Sequence, residues 1–231
     1  MHGLRIDSFP NAALAGPEPG PHGMPLRAVT SASPDPRILL AVHEPGVNLV
    51  IWTRDPPVTL IGSVLDDLVR AAPFTAISTT TPTDLSERLS EQIPVSLPDE
   101  LLSDIADLAA VFAMIDGDRQ HVRVRLEALV HDGCTKWHAD AIGLRMLCTY
   151  HGAGTQWLPI EGGAAGARTI GKGVASRSFV QIAAGSVAIL KGESHPNNAG
   201  NGCIHRSPPA EPGKRTRLLL CIDQTQWNLE E

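Results

Sequence analysis

Residues 136–159 read KWHADAIGLRMLCTYHGAGTQWLP, and this stretch decides the fold expected for the chain. His138 and Asp140 stand one residue apart, ahead of the apolar run IGLRMLCTY and a glycine-containing turn. Side chains at positions i and i+2 point to the same side only in an extended strand, since on a helix they lie about 200° apart. The pattern therefore predicts a strand that presents two metal-ligand side chains on one face.

More short strands are expected on either side of this stretch. RQHVRVRLEALV alternates between apolar and polar residues, and FVQIA, SVAILKG and TRLLLCID follow with Gly- or Pro-rich turns between them. Short strands in close succession are typical of a β-sandwich or barrel rather than of βαβ units. The fold class predicted is α+β, with a mostly β C-terminal part over residues 118–231.

The N-terminal half differs in composition and in the pattern of its apolar residues. Residues 1–36 are rich in Pro, Gly, Ala and Ser, so we expect a disordered or loosely packed segment. Residues 37–231 are expected to form a single domain, in which residues 37–117 are a helical buttress with one strand, VNLVIW. The clearest helix is PDELLSDIADLAAVFAMI at 98–115, because Pro and acidic residues open it and its apolar residues follow helical spacing.

Composition limits the classes of function. The 231 residues carry a net charge of −6, which gives no electrostatic footprint for nucleic acid. No apolar run approaches the ~20 residues of a membrane span, and the N-terminus lacks the features of a secretory signal. The four cysteines follow no disulfide spacing and are expected to be reduced thiols. We therefore expect a cytoplasmic protein that binds neither nucleic acid nor membrane.

Completion of the metal site is expected from the motif NGCIHRSPP further along the chain. It places His205 after a strand, and KRTRLLLCID then provides Arg215 and Arg217. Two neutral imidazoles and one carboxylate suit a divalent transition metal, and when they cover one face of an octahedron the other positions stay open, as in non-haem Fe(II) sites. An arginine on a neighbouring strand would pair with the far carboxylate of a chelating 2-oxo acid.

This order of motifs resembles the Fe(II)/2-oxoglutarate-dependent oxygenases. The resemblance covers roughly residues 120–224 and implies a double-stranded β-helix, a jelly-roll or cupin-like barrel, with N-terminal flanking helices. It also implies Fe(II) and 2-oxoglutarate as cofactors and leaves the prime substrate unknown. The residues implied are His138, Asp140 and His205 as Fe(II) ligands, and Arg215, or alternatively Arg217, as the 2-oxoglutarate contact.

A closer resemblance concerns most of the chain after residue 36. WHADAIGLRMLCTYHGAGTQWLP, with HEPGVNLVIWTR upstream, resembles an uncharacterised bacterial family, domain of unknown function eighteen-twenty-six. This resemblance identifies a family and implies no established activity.

One alternative metal site uses the cysteines. Cys134, His138, Cys203 and His205 would close a tetrahedral site that favours zinc, and the protein would then be a zinc-binding or metal-homeostasis accessory without catalysis. Its ligand spacings are looser than the usual paired ones, and it gives no role to Asp140.

Two further expectations concern residues near the motif. Arg145 is expected to face away from His138 and Asp140 and to form an ion pair. EGGAAGARTIGKGVASRS at 161–178 shows neither helical nor strand periodicity, which predicts a long flexible loop. Its basic residues, Arg168, Lys172 and Arg177, could cover an anionic substrate, although a solvated loop explains the same pattern.

Overall fold

The structure, a computed structural model, describes residues 29–55, 63–117, 121–210 and 216–225. Its strands are β1 Val29–Ser33, β2 Val47–Trp52, β3 Phe74–Thr80, β4 Val122–Leu129, β5 Leu144–His151, β6 Gln156–Trp157, β7 Val180–Gln181, β8 Val187–Lys191, β9 His205–Arg206 and β10 Arg217–Asp223. Seven of them form one sheet in the order β1-β2-β8-β5-β10-β4-β3. The β1–β2 pair is parallel and the other neighbouring pairs are antiparallel. The protein is thus a mixed α/β protein with a large, mostly antiparallel sheet.

Three α-helices and one 3-10 helix cover one face of this sheet. They are α1 Ser63–Arg70, α2 Leu85–Ser90 and α3 Asp99–Asp116, together with a 3-10 helix at Pro36–His43. α3 begins after Pro98, carries Asp99 and Glu100 in its first turn, and ends at Gly117, whose φ of 83° is left-handed. Its apolar stripe is buried against the sheet, which confirms the helix predicted at 98–115. No helix among the described residues is long and apolar enough to cross a membrane.

A buried ion pair joins α3 to the sheet. Arg54, just after β2, donates to both carboxylate oxygens of Asp104 on α3, at 2.6 and 2.7 Å. The Tyr150 hydroxyl of β5 donates to the same carboxylate at 2.6 Å. The Arg54 and Asp104 side chains are only 14% and 12% exposed, so this network fixes the helix layer through charged groups held out of water.

The opposite face of the sheet packs against a second, smaller sheet in the order β7-β6-β9. Strand alternation divides the residues between the two faces: on β4, Val122, Val124 and Leu126 face the helices, while Arg123, Arg125 and Glu127 occupy the other side. A separate apolar core lies between the sheets and includes Leu147, Trp157, Cys203 and Leu219. Strand β9 of the smaller sheet carries His205, one of the residues singled out from the sequence, and His138 pairs with it through an isolated β-bridge.

Two sequence predictions differ from the structure in the N-terminal half. Val29–Ser33, placed in the loose segment 1–36, pairs with β2 as an edge strand, because the exposed edge of β2 supplies its backbone partners. Residues 37–117 contribute two strands to the sheet instead of one, since Phe74–Thr80 pairs with β4. The prediction for residues 1–28 lies outside the described residues.

The predicted flexible loop at 161–178 is wrong over most of its length. Residues Gly163–Ile170 form α4, followed by a 3-10 helix at Gly171–Ser176. Alanine favours a helix even where hydrophobic periodicity is weak, and Ala164 packs into a small core with Leu158 and Ile204. At Gly163, φ is 49° and a Cβ would lie 2.5 Å from the carbonyl oxygen of Asn201, so only glycine allows this approach.

Candidate metal centre

His138 and His205 face each other across a β-bridge. The His138 amide donates to the carbonyl of His205 at 3.1 Å, and the His205 amide donates to the carbonyl of His138 at 2.9 Å. Residues paired in this way project their side chains to the same side of the strand pair. The two imidazole centroids consequently lie 4.5 Å apart, although 67 residues separate them in the sequence.

The orientation of each ring is fixed by a backbone carbonyl. Nδ1 of His138 lies 2.8 Å from the carbonyl oxygen of Lys136, and Nδ1 of His205 lies 3.1 Å from that of Cys203. A carbonyl oxygen only accepts hydrogen bonds, so each neutral ring carries its proton on Nδ1 and keeps a lone pair on Nε2. Burial lowers the pKa of His205, which keeps this ring neutral at neutral pH.

Asp140 supplies the third donor. Its Oδ1 lies 3.7 Å from Nε2 of His138, and its Oδ2 lies 3.4 Å from Nε2 of His205. One ligand atom from each residue lies within 4.8 Å of the others, and in the described part of the chain these three residues form the group able to hold a metal ion. The structure thus brings together the three residues predicted as ligands; that they bind a metal remains a prediction.

The local backbone differs from the predicted strand. Only His138 takes part in a bridge, whereas Asp140 lies in the irregular segment before β5. Asp140 still reaches the imidazoles, because its segment is held by backbone hydrogen bonds to the turn after β8, including Glu193 N–H to the Asp140 carbonyl at 2.8 Å.

Arg145 contacts Asp140, so the expectation that it faces away from the site is wrong, while the expected ion pairing is confirmed. Its Nη1 donates to Oδ2 of Asp140 at 2.9 Å. Its Nε and Nη2 donate to the two carboxylate oxygens of Asp223 at 2.6 and 2.9 Å. Register explains the arrangement, since Arg145 on β5 is the cross-strand neighbour of Asp223 on β10. Asp223 therefore holds Arg145 in position, and Arg145 in turn holds the carboxylate of the candidate ligand Asp140.

A cavity of about 220 Å³ opens beside the two histidines. Its wall combines apolar side chains of the sheet, such as Leu147 and Leu219, with charged groups. Arg125 and Glu127 on this wall form an ion pair at 2.9 Å. Arg206 also lines the cavity, with its guanidinium carbon 4.1 Å from the ring centroid of Trp137. The cavity thus has a mixed wall, with more basic than acidic side chains.

Arg217 lies on the same face of β10 as Leu219, and its side chain is buried. Nε donates to the carbonyl of Ala153 at 2.7 Å, but Nη1 and Nη2 are buried without a hydrogen-bond partner. Burial lowers the pKa of Arg217 to about 10, an effect that nearby Glu127 partly opposes. A buried guanidinium with free donors is unusual and fits an anionic partner. Arg215 lies outside the described residues.

The zinc alternative receives no support from the geometry. Cys134 approaches His138 at 3.7 Å, but at Nδ1, the nitrogen already held by a backbone carbonyl. Cys203 is buried in the core between the sheets, and burial raises the pKa of its thiol, which disfavours the thiolate that zinc requires. Neither thiol joins the group of candidate ligands.

Sequence reasoning missed Asp223 and misplaced Arg145. The only signal was the pair of charged residues at the ends of two otherwise apolar strands, LRMLCTYH and RLLLCID. Charges at strand ends are usually solvated, so this signal is weak without the register.

Comparison with known proteins gives a family. The sequence profile described as "Protein of unknown function (DUF1826)" matches residues 33–223. The chain belongs to this family. Among proteins with curated functions, none matches the sequence significantly.

Solved structures show only distant similarity to this DUF1826 protein. The rice dioxygenase for auxin oxidation has 15% identity and a TM-score of 0.39, over 76% of this chain and 71% of that one. A bsmA homolog from Methylobium petroleophilum PM1 has 14% identity and a TM-score of 0.41, over 76% of this chain and 87% of that one. A full-length Neurospora crassa protein, solved in complex with alpha-KG, has 10% identity and a TM-score of 0.38, over 76% of this chain and 73% of that one. At these values no residue role or activity carries over to this chain.

Proposed function

We propose that the protein is a non-haem Fe(II)- and 2-oxoglutarate-dependent oxygenase, with His138, Asp140 and His205 as the metal ligands. The observation that carries the proposal is the backbone-locked histidine pair, whose free Nε2 atoms both face the Asp140 carboxylate. Two imidazoles and one carboxylate from one side are the donor set of open non-haem iron sites.

The proposed architecture is a double-stranded β-helix over the C-terminal half. Its support is the pair of facing sheets, with the apolar core and the candidate ligands between them. We also propose that residues 37–231 are one domain, because β2 and β3 belong to the same sheet as β4, β5, β8 and β10. Helices on the far face of that sheet then act as the buttress.

The donor set fits Fe(II) better than a closed zinc site. Each imidazole is oriented by a hydrogen bond to a carbonyl, and the carboxylate is oriented by Arg145; such partners of metal ligands typically hold the ligand in place. The side chain of His138 is 32% exposed, so the site is open on one side. An open position is what a reacting metal needs and a structural metal lacks.

The surroundings also fit a small dicarboxylate. The cavity beside the histidines contains basic groups, and the unpartnered Nη atoms of Arg217 are suited to a bidentate contact with a carboxylate. An incoming carboxylate would satisfy donors whose burial is otherwise unfavourable. Arg215 stays the second candidate for this contact.

When bound, Fe(II) and 2-oxoglutarate supply the oxidation: O₂ gives one oxygen atom to the succinate formed with loss of CO₂ and the other to a C–H bond of the substrate. The chain's own part is to hold the donors in position and exclude water. Asp223 keeps Arg145 in place, Arg145 keeps the Asp140 carboxylate turned toward the histidines, and Trp137 with Arg206 covers one side.

Anaerobic titration with Fe(II) and then 2-oxoglutarate tests the proposal. We expect one metal ion per chain, and a weak visible charge-transfer band once the 2-oxo acid is added. His138→Ala, Asp140→Ala and His205→Ala should each lose the metal while staying folded, because open sites rarely carry the stability of the fold. His131→Ala is the matched control, since His131 lines the same cavity outside the ligand group.

The arginines are tested in the same titration. Arg217→Gln should weaken binding of 2-oxoglutarate and leave Fe(II) affinity near that of the wild type, since it removes the guanidinium without touching a ligand. If Arg215→Gln has this effect instead, the contact belongs to Arg215. A fully metal-loaded Asp140→Ala variant would exclude the proposed ligand set, and absence of the band in metal-loaded wild type would exclude the cosubstrate.

A further inference from the structure

A second cavity, of about 450 Å³, lies against the metal centre. It is open to solvent and is bordered by α4, by the 3-10 helix Gly171–Ser176 and by the segment that leads into the histidine bridge. His138 lines both this cavity and the cavity of about 220 Å³ beside the histidines, so the two cavities meet at a candidate ligand. We call it the α4 cavity. Its size falls within the usual range for sites that bind small molecules.

The wall of the α4 cavity is mostly apolar and combines Trp137 with several short side chains. Ala139, Ala164, Ala167 and Ala175 line it, together with Val174 and Ile204. α4 is held in place by its N-terminal turn, where the Ala165 amide donates to the Gly200 carbonyl at 2.6 Å. Alanines at these positions leave space that larger residues would fill, and apolar walls favour an apolar ligand body.

The rim carries positive charge that the described residues do not balance. Arg168 and Lys172 line the cavity on its helical side, and Glu193 is the acid nearby. The Glu193 carboxylate already accepts N–H groups from Gly202 at 2.7 Å and Gly200 at 3.2 Å, and it lies 3.5 Å from Arg168. In the described part of the chain, Lys172 has no carboxylate partner.

We infer that the prime substrate is a carboxylic acid with an apolar body of medium size. Its carboxylate would lie between Arg168 and Lys172, and its body would occupy the alanine-lined space and extend toward His138. This inference rests on the proposed function, because it names the substrate of the same centre. Apolar walls supply most of the attraction and the cationic rim selects acids over neutral analogues.

Binding of octanoate and of octanamide to the metal-free protein, measured by calorimetry, tests the inference. The two probes share a chain length and differ in charge. We expect octanoate to bind more tightly, and Lys172→Glu to weaken octanoate by roughly twofold to fivefold, the scale of exposed charge pairs. Arg177→Glu is the matched control, because it makes the same charge change on an exposed residue of the same segment outside the cavity.

Filling the cavity gives an independent test. Ala167→Leu adds bulk to the wall and should weaken both probes by about tenfold or more, since a filled cavity leaves no room for the chain. Thr169→Leu adds a leucine on the exposed side of the same helix and should change neither affinity. With Fe(II) and 2-oxoglutarate present, octanoate should raise succinate formation in the wild type and not in Ala167→Leu.

The outcomes separate this inference from the proposed function. If the charge-transfer band forms but octanoate binds no better than octanamide, or if Ala167→Leu and Lys172→Glu bind octanoate normally, the substrate class is wrong and the oxygenase stands. If octanoate binds as expected but raises no succinate formation in protein that shows the band, the α4 cavity is not the substrate site. If the band never forms, the proposed function fails, and the substrate assignment fails with it.

Discussion

Asp223→Asn is the perturbation that best separates the support of the metal centre from the stability of the sheet. Asp223 lies outside the ligand group, yet it holds Arg145 through two hydrogen bonds of 2.6 and 2.9 Å. Its side chain is 8% exposed and that of Arg145 is 18% exposed. The substitution keeps the size of the side chain, removes its charge and leaves one oxygen to accept a hydrogen bond.

The expected loss of stability follows from this burial. Removing one partner of a buried ion pair costs about 3–5 kcal/mol, because the other charge stays buried without compensation. Arg145 retains Asp140 at 2.9 Å, so we expect a smaller loss, roughly 2–3 kcal/mol. For a chain of this length, each kcal/mol lowers Tm by about 2–4 °C, which predicts a decrease on the order of 4–12 °C.

Metal affinity should fall as well. Without Asp223, the charge of Arg145 is balanced by Asp140 alone, which draws that carboxylate away from an incoming cation. Loss of a group that orients a metal ligand typically weakens the metal by about 10–100-fold. Thermal melts of the metal-free variant and Fe(II) titration of the folded variant at the same pH measure the two effects separately.

Asp104→Asn is the control. It breaks a buried arginine–aspartate pair of similar exposure, on the helix-covered face of the sheet. It should lower Tm at least as much, because the one side-chain oxygen that remains replaces two that accept from Arg54 and Tyr150, and it should leave Fe(II) affinity unchanged. Equal loss of metal in both variants would refute the specific role of Asp223, and unchanged metal binding in Asp223→Asn would refute the coupling through Arg145.

Three further predictions concern other parts of the molecule. Burial lowers the pKa of Lys191 to about 8 from its ordinary 10.5. Between these two pH values the unfolded chain holds a proton that the folded chain has lost, so the stability of the wild type relative to Lys191→Met should rise with pH. Denaturant titrations across this pH range should show a rise of about 3 kcal/mol at most. Replacing Cys134 and Cys203 together with Ser should keep the metal and lower stability by about 1–2 kcal/mol, and X-ray absorption that finds sulfur ligands in the wild type would contradict this. Phe112→Ala should cost about 3–5 kcal/mol in chemical unfolding, because Phe112 is fully buried in the helix-side core, and a loss below about 1 kcal/mol would contradict that packing.

The sequence was informative wherever a local rule sets the structure. α3 was predictable because Pro98, its acidic first turn and Gly117 are local boundary signals around a regular apolar stripe. The strand β4 was predictable from simple alternation. The candidate ligands were predictable as a group because metal chemistry restricts side-chain types, and His138, Asp140 and His205 do lie together.

The rest depends on register and on tertiary contacts. Arg145 meets Asp223 because β5 and β10 pair in one particular register, and a one-residue shift would turn each side chain to the other face. α4 contains Gly163 and Gly166, residues that ordinarily indicate a loop, and the close approach of Gly163 to Asn201 exists only in the folded chain. β1 forms because β2 offers it an edge, which no property of VTSAS predicts.

The charge distribution around the histidines links these features to the proposed chemistry. Arg145 already donates to the Asp140 carboxylate, Arg206 lines the cavity beside the histidines, and Arg217 lies on the same face of β10 as the cavity-lining Leu219. A divalent cation alone would add to this positive charge. Its one carboxylate ligand, Asp140, already shares its negative charge with Arg145. A dicarboxylate that binds beside the cation would offset the repulsion between the cation and the arginines. It would also accept hydrogen bonds from the buried Nη atoms of Arg217. Metal and 2-oxo acid should therefore favour each other's binding, and such coupling is reciprocal: whatever factor the acid adds to metal affinity, the metal adds to the affinity for the acid.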